Sequence, residues 1–302
     1  MMLKEAPKIS IVTPSFNQAE FIEATIQSVL SQNYPNLEYI IIDGGSTDGS
    51  LEIIKKYESY LHFWCSEPDK GQYDAINKGF AYANGEIMAW LNSDDMYCTW
   101  ALKTVANIMS KLPQVEWLTT LNPGGWDWHG FCTGFGSIPG YSRQAFLDGY
   151  FVPWGRKSKN KCWIIQQEST FWHRSLWEKA GSYLRTDLKL ASDFELWSRF
   201  FSHAELYGTY SPLGGFRSQS KQKTTDKLAY ASESEKLLSP MRDKLGYSPN
   251  IYTNLSIKLK LDKIPKVSNI VASKFGYIGK KVVKHNLSFP DSYWEIEEYK
   301  FI

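Results

Sequence analysis

The chain has 302 residues, enough for a full core, and its 34 basic against 32 acidic side chains leave a formal net charge of +2, so nucleic acid is not expected as a partner. Cys65, Cys98, Cys132 and Cys162 are widely spaced and make neither a CxxC pair nor a compact disulfide framework, which suits a reducing cytoplasm. No apolar run precedes the first strand and none reaches the ~18 residues of a membrane span, so a cytoplasmic chain with neither signal nor transmembrane helix is expected.

In chain order, short apolar runs alternate with amphipathic stretches, the pattern of strands joined by helical crossovers in a mostly parallel sheet. Strands are predicted at Ile9 to Thr13, Leu37 to Ile42, His62 to Ser66, Ile87 to Leu91 and Glu116 to Leu121. Between them, Ala19 to Ser31 carries Phe21, Ile22, Ile26, Val29 and Leu30 at helical spacing, and Ser50 to Tyr60 and Tyr73 to Ala83 repeat the pattern. Residues 122–161 are rich in glycine, proline and tryptophan and read as ordered loops over a site. Helical spacing returns at Ser175 to Ala180 and in Phe194, Trp197 and Phe201. Twelve tryptophans, many between Trp117 and Trp197, offer rings that stack on sugars or pack a core. Beyond Pro240 the chain turns basic, and Ser256 to Val283 predicts a helix pair or an amphipathic surface able to rest on an anionic membrane.

The chemistry-bearing residues follow strand ends, where open α/β sheets form their ligand crevice, so Pro14, Ser15, Asp43, Asp69 and Asp94 should converge. In LNSDD, Leu91 to Asp95, carboxylates just past a buried strand suit magnesium or manganese shared with a diphosphate; a capped turn is the plainer reading. No cysteine or histidine pair has zinc spacing, and Gly44, Gly45 and Gly49 match neither the P-loop nor the dinucleotide signature.

The run from Ile9 to Ser50, ISIVTPSFNQAEFIEATIQSVLSQNYPNLEYIIIDGGSTDGS, resembles the opening of family 2 glycosyltransferases. The resemblance continues through EPDKGQYDAINKGFAYANGEIMAWLNSDD and returns at QQESTFWHRSLWEKAG and ASDFELWSRF, covering roughly 8–223. It implies an α/β GT-A fold, inversion at the anomeric carbon, a nucleotide-sugar donor with uridine the commonest base, and a divalent metal, Mn2+ or Mg2+. It also implies a catalytic domain over 1–223, with a nucleotide-sugar half at about 8–122 and an acceptor half at 123–223. Residues 224–302 are then a mostly helical appendage.

By the same resemblance, Pro14 and Ser15 line the nucleoside pocket and Asp43 binds base or ribose. Asp69 and Lys70 approach base and phosphates, while Asp74 and Asn77 brace the loop. The family's DxD motif falls on Asn92, Ser93 and Asp94, so Asp94 carries the metal and neutral Asn92 contributes no charge. Arg217 stands near the diphosphate, and Gln219 where many relatives have histidine. Asp193 is the general base on the acceptor hydroxyl, or an N-cap whose pKa the helix dipole would lower. Glu168 orients hydroxyls or ends a solvated strand. The acceptor is a glycan or a lipid-linked saccharide, with peripheral contact at the inner membrane face through the basic tail. Two rivals are a nucleotide-sugar-binding protein without efficient turnover, suggested by Asn92, and a nucleotidyltransferase, which should show a glycine-rich N-terminal arm where TPSFNQAEF stands.

Overall fold

The computed structural model describes residues 6–153, 163–220, 222, 226–244, 247, 264–286 and 292–301. Strands β1 (Ile9–Ser15) and β2 (Leu37–Asp43) pair in parallel, with Ser15 opposite Asp43. Both are buried along nearly their whole length, which is why ISIVTPS and LEYIIID read as continuous apolar runs rather than alternating ones. β3 (Phe63–Ser66) extends the sheet beyond β2, and β4 (Ile87–Trp90) lies on the other side of β1. Helices α1 (Ile22–Leu30), α2 (Ser50–Lys56) and α3 (Gln72–Tyr82) are the crossovers. α3 lies close against β1 because Gly79 has no side chain: a Cβ there would stand 2.4 Å from Val12 Cγ1.

After β5 (Met96–Tyr97) and α4 (Ala101–Lys111), strand β6 (Trp117–Thr120) returns to the main sheet. The 122–153 part of the expected loop region contains β7 (Gly124–Trp126), β8 (Cys132–Phe135) and α5 (Arg143–Leu147). Three-residue β9 (Phe171–His173) inserts antiparallel between β4 and β6, followed by α6 (Arg174–Lys179), α7 (Ser192–Phe200), β10 (Tyr207–Thr209) and β11 (Gly214–Arg217). β5, β11, β7 and β8 form a second, four-stranded sheet.

The last elements are α8 (Lys227–Lys244), α9 (Pro265–Lys274), β12 (Ile278–His285) and β13 (Tyr293–Lys300). β12 joins β10 in parallel and β13 closes the edge, giving nine strands in the order β13-β12-β10-β6-β9-β4-β1-β2-β3. Within the tail expected to be mostly helical, α8 and α9 are helices, whereas residues 278–285 and 293–300 are strands. The lysines find acidic partners across the hairpin: Lys281 faces Glu297 in register and pairs with it at 3.0 Å, and Lys280 faces Glu298 at 3.7 Å while also reaching Glu205 ahead of β10 at 2.6 Å. Residues 256–263 of the expected basic surface lie outside the described residues. No helix among the described residues is long and apolar enough to cross a membrane.

The tryptophans mostly pack the core. Trp90, Trp117, Trp172 and Trp197 are at most 1% exposed, with Trp90 stacked on Trp197 at 5.8 Å between centroids and Trp172 edge-on to Trp90 at 5.6 Å. Such ring pairs add about 0.5–1.5 kcal/mol each beyond area burial. The cluster ties β4, β6 and β9 to α7, fixing the base of the helix on which Asp193 stands.

Candidate active site

A cavity of about 650 Å³ opens beyond the carboxyl ends of β1 and β4, walled by α3, α7 and α8. Pro14, Ser15, Asp69, Asn92, Ser93, Asp94 and Asp193 all line it, so most of the predicted residues do converge. Gly44 lets the Asp69 carboxylate and the Phe16 ring approach closely, since a Cβ at 44 would stand 2.8 Å from Asp69 Oδ2 and 3.3 Å from Phe16 Cδ2. Phe16 presents a ring 59% exposed at this end.

Three predicted residues lie outside the lining. Asp43 is fully buried and its carboxylate accepts from Ser46 Oγ at 2.5 Å, Ser66 Oγ at 2.7 Å and the amides of Gly45 and Ser46 at 3.1 and 2.8 Å. Asp43 thus organises the turn after β2. The Lys70 side chain is exposed, and its amide donates to Asp74 Oδ2. Arg217 is buried, donating from Nε to the Asp94 carbonyl at 2.6 Å and from its amide to Asp95 Oδ1 at 2.8 Å. It stitches β11 to the 94–95 loop. Asn77 exchanges two hydrogen bonds with Leu184, so Asp74 and Asn77 brace loops as expected.

Asn92 is held by amides, accepting from Gln72 at 2.6 Å and donating to Gln167 and Asp95. Asp94 Oδ2 accepts from Gln219 Nε2 at 2.9 Å. Burial raises the Asp94 pKa against the opposing pull of Gln219 and Arg217. Asp95 is driven well above the carboxylate range by burial and then by the charges of Glu168 and Asp94. Glu168 lies buried in a turn of 3-10 helix, not at a solvated strand end; burial pushes it up to about 7, and it is hydrogen-bonded to Asp95.

Asp193 is the second residue of α7, and the helix is capped by Ala191 without a side-chain bond, so the N-cap reading does not hold. Amides at the helix start pull its pKa down, but burial outweighs them and pushes it up to about 6. The Tyr230 hydroxyl donates to both its oxygens, at 3.0 and 3.1 Å. Sequence reasoning missed Phe16, Gln167, Lys189 and Tyr230 among the lining residues. Phe16 adjoins Ser15 and was within reach, whereas nothing local marks Tyr230.

Among the described residues no group of three or more His, Cys, Asp or Glu side chains is arranged to hold a metal. Asp94 offers one carboxylate, desolvated and raised in pKa, with the Gln219 amide beside it. Gln219 turns its N–H toward Asp94, so the site offers a single hard carboxylate, which suits Mg2+ or Mn2+ sharing phosphate oxygens and water and does not suit zinc.

A twisted nine-stranded sheet with one antiparallel insertion, a small second sheet and a carboxylate-lined crevice define a GT-A glycosyltransferase fold, and a crystal structure of S. aureus TarS in complex with UDP-GlcNAc superposes on it. That likeness has a TM-score of 0.58 at 16% identity, covering 88% of this chain and 80% of the other. In sequence, residues 10–123 match the family model Glycosyl transferase family 2. An uncharacterized glycosyltransferase of Mycobacterium tuberculosis (strain ATCC 25618 / H37Rv) is 32% identical over 195 residues, 64% of this chain and 68% of the relative. A putative teichuronic acid biosynthesis glycosyltransferase, TuaG of Bacillus subtilis (strain 168), is 40% identical over 94 residues, 30% of this chain and 37% of the relative. The chain belongs to glycosyltransferase family 2.

Proposed function

We propose that the protein moves a hexosyl or N-acetylhexosaminyl group from a UDP-sugar to a hydroxyl of a glycan or lipid-linked saccharide in polysaccharide biosynthesis, with inversion. The carrying observation is that Asp94 from the donor half and Asp193 from the acceptor half line one cavity. The exposed Phe16 ring, with Pro14, Ser15 and Asp69, offers a stacking face and polar edge for the base and ribose. Asp94 would hold Mn2+ or Mg2+ through its carboxylate, whose orientation Gln219 fixes by donating to Oδ2. Such an ion supplies charge neutralisation at the departing diphosphate. Lys189, which lines the cavity, and exposed Lys70, between the lining residues Asp69 and Gly71, add positive charge for the phosphates, while Arg217 acts by holding the 94–95 loop.

On the acceptor side, Asp193 takes the proton of the attacking hydroxyl. With its pKa at about 6 it is mostly ionised at neutral pH yet basic enough to bond the proton in flight. The hydroxyl oxygen then attacks the anomeric carbon from the face opposite the nucleoside diphosphate, the carbon–oxygen bond to the diphosphate breaks, and no covalent enzyme intermediate forms. A lipid-linked acceptor would bring the basic tail against an anionic cytoplasmic membrane face, which sedimentation with anionic vesicles at low salt tests.

The test is a panel of UDP-, dTDP- and GDP-sugars with and without Mn2+, read by thermal shift and by nucleoside diphosphate release. A UDP-sugar should give the largest shift and measurable UDP. No shift and no release with any donor would overturn the reading.

A further inference from the structure

The long helix α8 reaches back into the cavity wall. Its inward stripe, Tyr230, Ala231, Ser234, Leu238 and Met241, is buried, and one turn on from Tyr230 stands Glu233. The Glu233 carboxylate accepts three consecutive main-chain amides, those of Lys189 at 3.1 Å and of Leu190 and Ala191 at 2.8 Å each. These residues lead directly into α7 and Asp193. Three amide donors converging on one carboxylate make a strong, directional anchor. Tyr230 meanwhile donates to both oxygens of Asp193, and is itself 7% exposed. From the opposite side, Tyr73 of α3 donates to the Leu190 carbonyl at 2.6 Å and accepts from the Ser192 amide at 3.4 Å.

We propose that Tyr230 and Glu233 are positioning residues for Asp193: Glu233 fixes the backbone that presents the carboxylate, and Tyr230 fixes its rotamer and sustains its charge. The catalytic unit then extends through α8, past the expected boundary at residue 223. The inference rests on Asp193 being the base. A carboxylate on an unbraced loop end would sample several rotamers, and bases lose rate steeply with small displacements. The charged and titratable groups facing Asp193 are Tyr73 from α3, Glu168 from the turn before β9, and Tyr230 and Glu233 from α8.

The experiment compares Tyr230→Phe, Glu233→Gln, Asp193→Asn and the double variant Asp193→Asn/Tyr230→Phe with the parent in full-length protein. The reaction is UDP release from the best UDP-sugar of the panel, with Mn2+. Tyr230→Phe keeps the ring and should lower kcat about tenfold with little change in donor KM, the size expected for one hydrogen bond to a charged group. Because that bond favours the ionised form, its loss should also move the acid limb of the kcat profile to higher pH. In the Asp193→Asn background the same substitution should change kcat by less than about twofold. A second readout needs no donor: Glu233→Gln should speed amide hydrogen exchange over 189–193, and Asp193→Asn should not.

A parental acid limb in Tyr230→Phe, an equal loss of rate in the Asp193→Asn background, or unchanged exchange in Glu233→Gln overturns the positioning role. If Asp193→Asn itself keeps the parental rate, the base assignment fails first, and that result is separate from the other three.

Discussion

Gln219 donates its side-chain amide to Asp94 Oδ2 across 2.9 Å, joining the segment after β11 to the loop after β4. Burial of this half-buried carboxylate raises its pKa, and neither the Gln219 bond nor the charge of Arg217 offsets that rise. Asp94→Asn should abolish the Mn2+-dependent part of UDP binding without destabilising the metal-free fold, since it removes a desolvated charge and no volume. Calorimetric titration of UDP with and without Mn2+ checks this, and equal affinities in variant and parent would sink it.

Asp43 behaves differently. Four donors converge on its buried carboxylate, two hydroxyls and two amides, and none comes from the cavity. Asp43→Ala leaves all four without their acceptor, so it should destabilise the fold by about 2–4 kcal/mol. Urea unfolding reads that loss directly. A variant of parental stability that binds UDP poorly would return Asp43 to the nucleoside pocket.

The Asp95–Glu168 pair yields a pH prediction. Glu168 has its pKa raised from 4.5 to about 7 in the folded protein. The native state thus holds an extra proton between those values, and this group's contribution to stability falls as pH rises through that window. Above about pH 7 the full cost of a buried charge is present. Glu168→Gln, whose amide can still donate to Asp95, should raise metal-free stability at pH 8 by of order 2 kcal/mol and change it little at pH 4.5. A gain at pH 4.5 equal to that at pH 8 would contradict the assignment of the proton to this pair.

The donor half was legible because its chemistry is local in sequence. Strands β1 to β4 are apolar runs of at least four residues; Ser15 ends β1, and Asp69 and Asp94 stand a few residues past the ends of β3 and β4. Convergence beyond the strand ends then follows from parallel topology. Asp43 likewise ends a strand, but which way its carboxylate turns depends on Ser46 and Ser66, one of them on another strand. β9 and β10 have three residues each, too few to show a period, and they exist because neighbouring strands pair with them. The β12–β13 hairpin was hidden by its lysines, whose acidic partners lie across the pair. Tyr230 and Glu233 could not be found from sequence, because their partners lie 37 residues and more than 40 residues upstream.

The central claim is that Asp193 accepts the acceptor's proton and takes no part in holding the donor. Asparagine matches its shape and still meets Tyr230, and since Asp193 does not cap α7 the change leaves the helix start intact. The direct test measures, for Asp193→Asn and parent, both the UDP-sugar dissociation constant and the rate of transfer. The account predicts an unchanged dissociation constant and a rate lower by about 10²- to 10⁴-fold. In the parent, the rate should fall as pH drops through about 6, where the carboxylate takes up its proton. Transfer by Asp193→Asn at close to the parental rate would contradict the account, and Glu168 would become the next candidate for the base.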